Sequence, residues 1–124
     1  MIVDDDQQTS GLMERVIQIY NHQTLIVNAS SQAMTTAHSF HPDLFILDLM
    51  MPDINGFELS ALIRADPVFS KTPVIVVSAM EDKEAKAKAL SIGVDEYMTK
   101  PFNIMDLGGK IEALLVNRKQ DETK

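Results

Sequence analysis

The stretch FILDLMMPDINGFEL, Phe45 to Leu59, decides how the chain is read. Phe45 to Leu47 is an unbroken apolar run of the kind that fills a buried strand. It ends on a carboxylate, Asp48, and then meets two methionines, a proline and a turn before helical spacing begins. A charge at the end of a segment built for burial is either a cap for the next element or a group held for use. Three other short apolar runs with β-branched residues, Ile2–Val3, Leu25–Val27 and Val74–Val77, occur along the chain, with a weaker fifth at Glu96–Thr99.

Longer segments with helical periodicity lie between these runs. Leu12, Val16 and Ile19 fall on one face of the first, and Met34, Ala37 and Phe40 recur in the second. Phe57, Ala61, Leu62 and Ile63 mark the third, Ala85, Ala89 and Ile92 the fourth, and Leu107, Ile111, Leu114 and Leu115 the fifth. Gly93 stands where a helix would stop, and all five prolines fall between periodic segments. Five strand–helix repeats predict parallel strands joined by helical crossovers. Apolar strands without alternation predict a sheet covered on both faces. The expected fold is a single doubly wound α/β domain over residues 1–118. Residues 119–124 are expected to form a polar tail or the start of a linker.

With 124 residues and 45% hydrophobic content, the chain can bury one sizeable core. A net charge of −7 argues against nucleic-acid binding, which needs a basic stripe, and against attachment to acidic membranes. The absence of cysteine excludes disulfides, thiolate metal sites and thiol nucleophiles. No apolar run reaches the length of a membrane span, and MIVDDD has no secretion-signal pattern, so a cytoplasmic location is the expectation.

In open α/β sheets, ligands bind beyond the carboxyl ends of the strands. Asp48 ends the third strand, Asp4 and Asp5 the first and Ser78 the fourth, while Lys100 follows the fifth. Three carboxylates brought within about 4 Å repel one another by roughly 4 kcal/mol per pair at an intermediate dielectric. A hard divalent cation removes that repulsion, and oxygen donors suit Mg²⁺. Lys100 adds a fixed positive charge and Ser78 a hydroxyl donor. Carboxylates, Mg²⁺, lysine and serine together describe a phosphoryl site, and aspartates are known to form covalent aspartyl-phosphates.

The stretches IVDDD, FILDLMMPDINGFEL, VIVVSA and DEYMTKPF, in this order and each at a predicted strand end, resemble the receiver domain of two-component response regulators. The likeness spans nearly the whole chain. It implies a flavodoxin-like, CheY-like sheet of strand order 2-1-3-4-5 with five helices. It makes Asp48 the phosphoacceptor, with Asp5 and Asp48 as direct Mg²⁺ ligands, Asp4 acting largely through water, and the backbone carbonyl of Met50 as the third protein ligand. Ser78 then bonds the phosphoryl group as a switch residue, Lys100 pairs with it, and the Tyr97 ring turns inward as Ser78 moves. The Lys100–Pro101 bond is expected to be cis. The partners implied are a sensor histidine kinase or phosphotransfer protein and a downstream effector domain or protein. A dimer that forms on phosphorylation is compatible with the resemblance.

Two features depart from the family pattern. The first strand carries two or three fewer apolar residues before its acidic cluster, and the turn reads Asn55-Gly56 where Asp-Gly is more common. Either pair tolerates the positive φ that such a turn was expected to need. Met50 and Met80, two residues after Asp48 and Ser78, stand where the family often carries side chains that position a hydrolytic water. A thioether cannot do so, so slow self-dephosphorylation is expected. Asp6 reads as a helix cap, the segment EDKEAKAK as a solvated helix start, and His22, His38 and His41 as surface or boundary residues without an assigned role. The methionines read as core filler, with Met50, Met51 and Met80 excepted. Two other functions compete. A Mg²⁺-dependent phosphohydrolase with an aspartyl intermediate would want a second aspartate where Met50 stands and a covering cap. A flavodoxin would want a Ser/Thr/Gly-rich phosphate loop in place of DDDQQ.

Overall fold

The computed structural model describes residues 1–79 and 83–122, with the backbone alone described for residues 119–122. Five strands, β1 (Ile2–Val3), β2 (Ile26–Val27), β3 (Phe45–Asp48), β4 (Val74–Ser78) and β5 (Glu96–Thr99), alternate with five helices. These are α1 (Gln7–Ile19), α2 (Ala33–Phe40), α3 (Gly56–Ala65), α4 (Lys83–Ile92) and α5 (Ile104–Glu122), with one 3-10 turn at Ser30–Gln32 before α2. The strands are all parallel in the order β2-β1-β3-β4-β5. The expected sheet, strand order and helix count are therefore present. The five prolines all lie outside the regular elements, Lys100–Pro101 is cis, and Gly93 takes φ 112° just past the end of α4. Helix α5 continues through Glu122, across the start of the expected polar tail.

Alternate strand residues feed two separate cores. Val3, Leu47, Val74 and Val76 pack with Ala37, Leu59, Ile63, Ala85 and Ala89 from α2, α3 and α4. Ile2, Ile46, Ile75, Val77 and Met98 pack with Met13, Ile17, Leu107 and Ile111 from α1 and α5. This is why the strands read as continuous apolar runs: both faces are covered.

The helices differ from the sequence reading in which stripe turns inward. In α1 the buried side chains are Ser10, Met13, Val16 and Ile17, while Leu12 and Ile19 are 43% and 75% exposed. Both stripes contain Val16 and satisfy helical spacing, so periodicity alone could not choose between them. In α3, Leu59, Ser60 and Ile63 are buried, whereas Ala61 and Leu62 face outward. Met51, set apart from the core fillers, is itself in the core, and Met50 is the exposed neighbour.

Local chemistry sets the helix starts nearest the strand ends. Asp6 caps α1 by accepting from the Gln8 amide and the Thr9 hydroxyl. Asn55 and Glu58 form a reciprocal capping box on α3. The Asn55-Gly56 pair does not supply a positive φ: Asn55 is extended at φ −81°, and the left-handed residue of this loop is Asp53, at φ 69°. Glycine is needed at position 56 for a different reason. A Cβ there would stand 2.7 Å from the Asp48 carbonyl oxygen and 2.8 Å from the Leu49 Cα.

Opposite the carboxyl edge, Arg64 ties the connection before β4 to the connection before β5. Its guanidinium donates to the carbonyls of Phe69, Thr72 and Gly93 at 3.2, 2.7 and 2.9 Å, and to Asp95 at 2.9 Å. Asp95 in turn accepts from the Val74 amide. Two histidines bridge helices. His38 on α2 meets Asp66 at the end of α3 at 2.6 Å, and His22 meets Glu112 on α5. None of the helices among the described residues is long and apolar enough to cross a membrane.

Candidate functional site at the carboxyl edge of the sheet

Strand register brings the expected residues together. β1 and β3 are hydrogen-bonded neighbours with Val3 opposite Leu47, so Asp4 and Asp48 leave the sheet side by side. Each of Asp4, Asp5 and Asp48 offers a carboxylate oxygen, and these three atoms all lie within 4.8 Å of one another. Asp4 is fully buried at the floor, Asp48 is almost fully buried, and Asp5 opens to solvent. Burial pushes the Asp4 carboxyl up from 3.8 to about 6, and the negative charge of Asp48 pushes the same way. The Asp6 amide, 2.9 Å away, and the Lys100 ammonium act against that rise.

Lys100 reaches in from beyond β5. Its Nζ is 3.4 Å from an Asp48 oxygen and 3.5 Å from an Asp4 oxygen, on a side chain that is 20% exposed. Among the described residues, Lys100 meets two of the three carboxylates, Asp4 and Asp48, and one ammonium against three carboxylates leaves the cluster with an excess of negative charge. The donor set is all oxygen, compact and open on the Asp5 side, and it fits a hard divalent cation.

Ser78 ends β4, fully buried, opposite Thr99 in the β4–β5 ladder. Tyr97 pairs with Val76, one row behind Ser78 on the same face of the sheet, and its half-buried ring packs on the core shared with α3 and α4. Met50 is 63% exposed. Met80 lies outside the described residues. Each of the other expected site residues is thus found at this one edge.

Residues from the connection after β2 also reach the site, and sequence reasoning missed them. The Asn28 side-chain amide donates to the Asp4 carbonyl at 2.9 Å. The buried Ser30 hydroxyl donates to the Pro52 carbonyl at 2.9 Å and accepts from the Ile54 amide at 3.1 Å, in the loop that leads out of Asp48. The available signal was positional: β2 neighbours β1, so polar residues at its carboxyl end belong to the same rim.

Comparison with known proteins agrees with this geometry. A family model described as the response regulator receiver domain matches residues 1–112. The DNA-binding response regulator MtrA of Mycolicibacterium smegmatis is 33% identical over 98% of this chain and 52% of its own length. The response regulator ArlR of Staphylococcus haemolyticus is 34% identical over 98% of this chain and 54% of its own. The chain thus spans about half the length of these curated relatives. Among solved structures, the signal receiver domain of a histidine kinase from Syntrophus aciditrophicus superposes with a TM-score of 0.86 at 26% identity, over 94% of this chain and 88% of that one. A CheY-like receiver domain from Methanospirillum hungatei reaches 0.89 at 23% identity over 97% and 94%, a likeness of fold. Motif order, strand order, clustered carboxylates and family match converge: the chain belongs to the response regulator receiver domain family, the phosphoryl-accepting switches of two-component signalling.

Proposed function

We propose that Asp48 is the phosphoacceptor of this receiver domain and that Asp4, Asp5, Asp48 and the Met50 carbonyl hold Mg²⁺. The observation that carries this reading is the gathering of three carboxylates at one strand edge with an ammonium 3.4 Å from Asp48. An Asp48 oxygen attacks the phosphorus of a phosphohistidine on a sensor kinase or phosphotransfer protein. A P–O bond forms, the P–N bond breaks, and the imidazole leaves and takes up a proton. Bound Mg²⁺ supplies charge neutralisation for the phosphoryl oxygens. Lys100 pairs with one of those oxygens and Ser78 donates a hydrogen bond to another. The domain is then drawn toward the state in which Ser78 has closed and Tyr97 has turned inward.

The domain is a switch that promotes its own phosphorylation and dephosphorylation, and it does not turn over a separate substrate. We take residues 1–118 as the receiver unit and residues 119–124 as a polar extension. Its setting is the bacterial cytoplasm, its output a downstream effector domain or protein. MtrA, a DNA-binding response regulator by name, offers the pattern in which the effector reads DNA. The test is intact-mass analysis after incubation with acetyl phosphate. A single phosphoryl adduct is expected with Mg²⁺, none in excess chelator, and none for Asp48→Asn under either condition. An adduct of equal yield in chelator overturns the reading.

A further inference from the structure

The connection after β2 holds no residue that the metal reading uses, yet it touches both loops that the reading depends on. Asn28 donates to the Asp4 carbonyl. Ser30 is 4% exposed, and its single hydroxyl makes two bonds to one loop, donating to Pro52 and accepting from the Ile54 amide. That loop runs from Asp48 to the start of α3 and contains Met50. The Ile54 amide also donates to the Pro52 carbonyl at 2.9 Å, so the hydroxyl completes a closed three-membered ring of bonds. Downstream, the Gly56 amide donates to the Leu49 carbonyl at 2.8 Å. Between these two fixed points the loop has few ways to move.

We propose that Ser30 is a positioning residue for the metal site: its hydroxyl pins the Pro52–Ile54 turn and so holds the Asp48–Met50 backbone in a metal-binding arrangement. The inference rests on the reading of Asp4, Asp5, Asp48 and the Met50 carbonyl as Mg²⁺ ligands. The physical argument is preorganisation. Mg²⁺ demands near-ideal octahedral geometry, and a backbone carbonyl can meet that demand only if its loop is already ordered. Asp48 ends β3, and Asp4 directly follows β1 with its amide donating to the Val27 carbonyl at 3.1 Å, so the sheet sets both positions. Met50 lies beyond β3 and has no strand to hold it. Alanine at position 30 leaves the Pro52 carbonyl and the Ile54 amide without the hydroxyl, and the turn gains freedom that binding must then remove.

The experiment is a Mg²⁺ titration of the full chain, followed by NMR, on wild type, Ser30→Ala and Ile63→Val. Ile63 is fully buried on α3, so its truncation lowers stability without removing any hydrogen bond of the Ser30 hydroxyl. Amide hydrogen exchange at Ile54 in chelator is measured on the same three proteins. Ser30→Ala is expected to speed Ile54 exchange and to weaken Mg²⁺ binding by about tenfold, the low end of the range for groups that orient ligands. Ile63→Val should leave both unchanged. Mg²⁺ affinity within twofold of wild type in Ser30→Ala overturns the proposal, as does an equal weakening in Ile63→Val. A wild type whose resonances at Asp4, Asp5 and Asp48 do not respond to Mg²⁺ overturns the metal reading itself and this proposal with it. The two failures are thereby distinguished.

Discussion

A Cβ built on Gly56 would stand 2.7 Å from the carbonyl oxygen of Asp48. The first turn of α3 is therefore pressed against the backbone of the residue at the centre of the site, and no flexible side-chain end stands between them to give way. Gly56→Ala should force the loop apart and destabilise the domain by about 1–3 kcal/mol, the usual cost of overpacking. It should also slow phosphorylation at Asp48. Urea unfolding and the rate of adduct formation check the two effects. A variant that matches wild type in both refutes the close approach.

Folding raises the Asp4 pKa from 3.8 to about 6, chiefly by burial. The folded protein thus binds this proton more tightly than the unfolded chain does. The benefit is complete below pH 3.8 and is lost as pH rises through about 6, so ionised Asp4 weakens the metal-free fold at pH 7 by an amount on the order of 3 kcal/mol. Asp4→Asn should stabilise the protein in chelator at pH 7, with the gain fading as pH is lowered toward 4. It should also remove most of the stabilisation conferred by added Mg²⁺. Thermal melts across this pH range, with and without the ion, measure both. A gain that grows on acidification contradicts the assignment.

Lys100 answers Asp4 and Asp48 from 3.5 and 3.4 Å. Lys100→Ala leaves those carboxylates without their cation, so Mg²⁺ should bind more tightly while the phosphorylated state fails to form fully. The comparison is between NMR spectra of the two phosphorylated proteins. Identical spectra at Ser78 and Tyr97 would show that the lysine is not needed for switching.

Met50 is exposed two residues after Asp48, and Met80 follows Ser78 by the same interval. Neither thioether can orient a water for attack on an acyl phosphate, so the adduct should be long-lived. Met50→Asn combined with Met80→Glu should shorten its lifetime about tenfold, less than the hundredfold or more that a general base can give. Decay of the adduct in Mg²⁺ after removal of the donor measures this. Unchanged or slower decay refutes the screening argument.

Arg64→Lys should cost about 2 kcal/mol. The guanidinium serves three carbonyls and Asp95 from one plane, a geometry that an ammonium cannot reproduce. Chemical denaturation of the variant checks it, and phosphorylation at the far edge should proceed at its normal rate.

The sequence made the sheet legible because β1, β3 and β4 read as continuous apolar runs, and each run ended at a residue of the candidate site. Asp4, Asp48 and Ser78 announce themselves as the point where the apolar run stops while burial continues. Helix faces were less legible. Leu12 and Ile19 in α1 stand in helical spacing with Val16, as Met13 does with Val16 and Ile17, and only the packing of α1 against β1 and α5 selects Met13 and Ile17. The role of Gly56 was misread because sequence carries turn preference but not the approach of a distant backbone. Ser30 and Asn28 escaped for the same reason, since their partners are 22 to 24 residues away. The bridges of His38 to Asp66 and His22 to Glu112 span 28 and 90 residues, distances over which local patterns are silent.

The sheet also works as a partition. Alternation along β1 and β3 points Asp4 and Asp48 toward the α1 and α5 layer, whereas alternation along β4 and β5 points Ser78 and Tyr97 toward the α3 and α4 layer. A change at Asp48 can reach α4 only by crossing from one face to the other at the strand ends. The two layers otherwise share no helix. Substitutions such as Ile17→Val and Ile63→Val, one on each side, have no common neighbour within a cluster, so their effects on stability should add. Each face can vary with little response from the other, and the carboxyl edge, where Asp48 and Ser78 come from opposite faces, is a place where a change on one is felt by both.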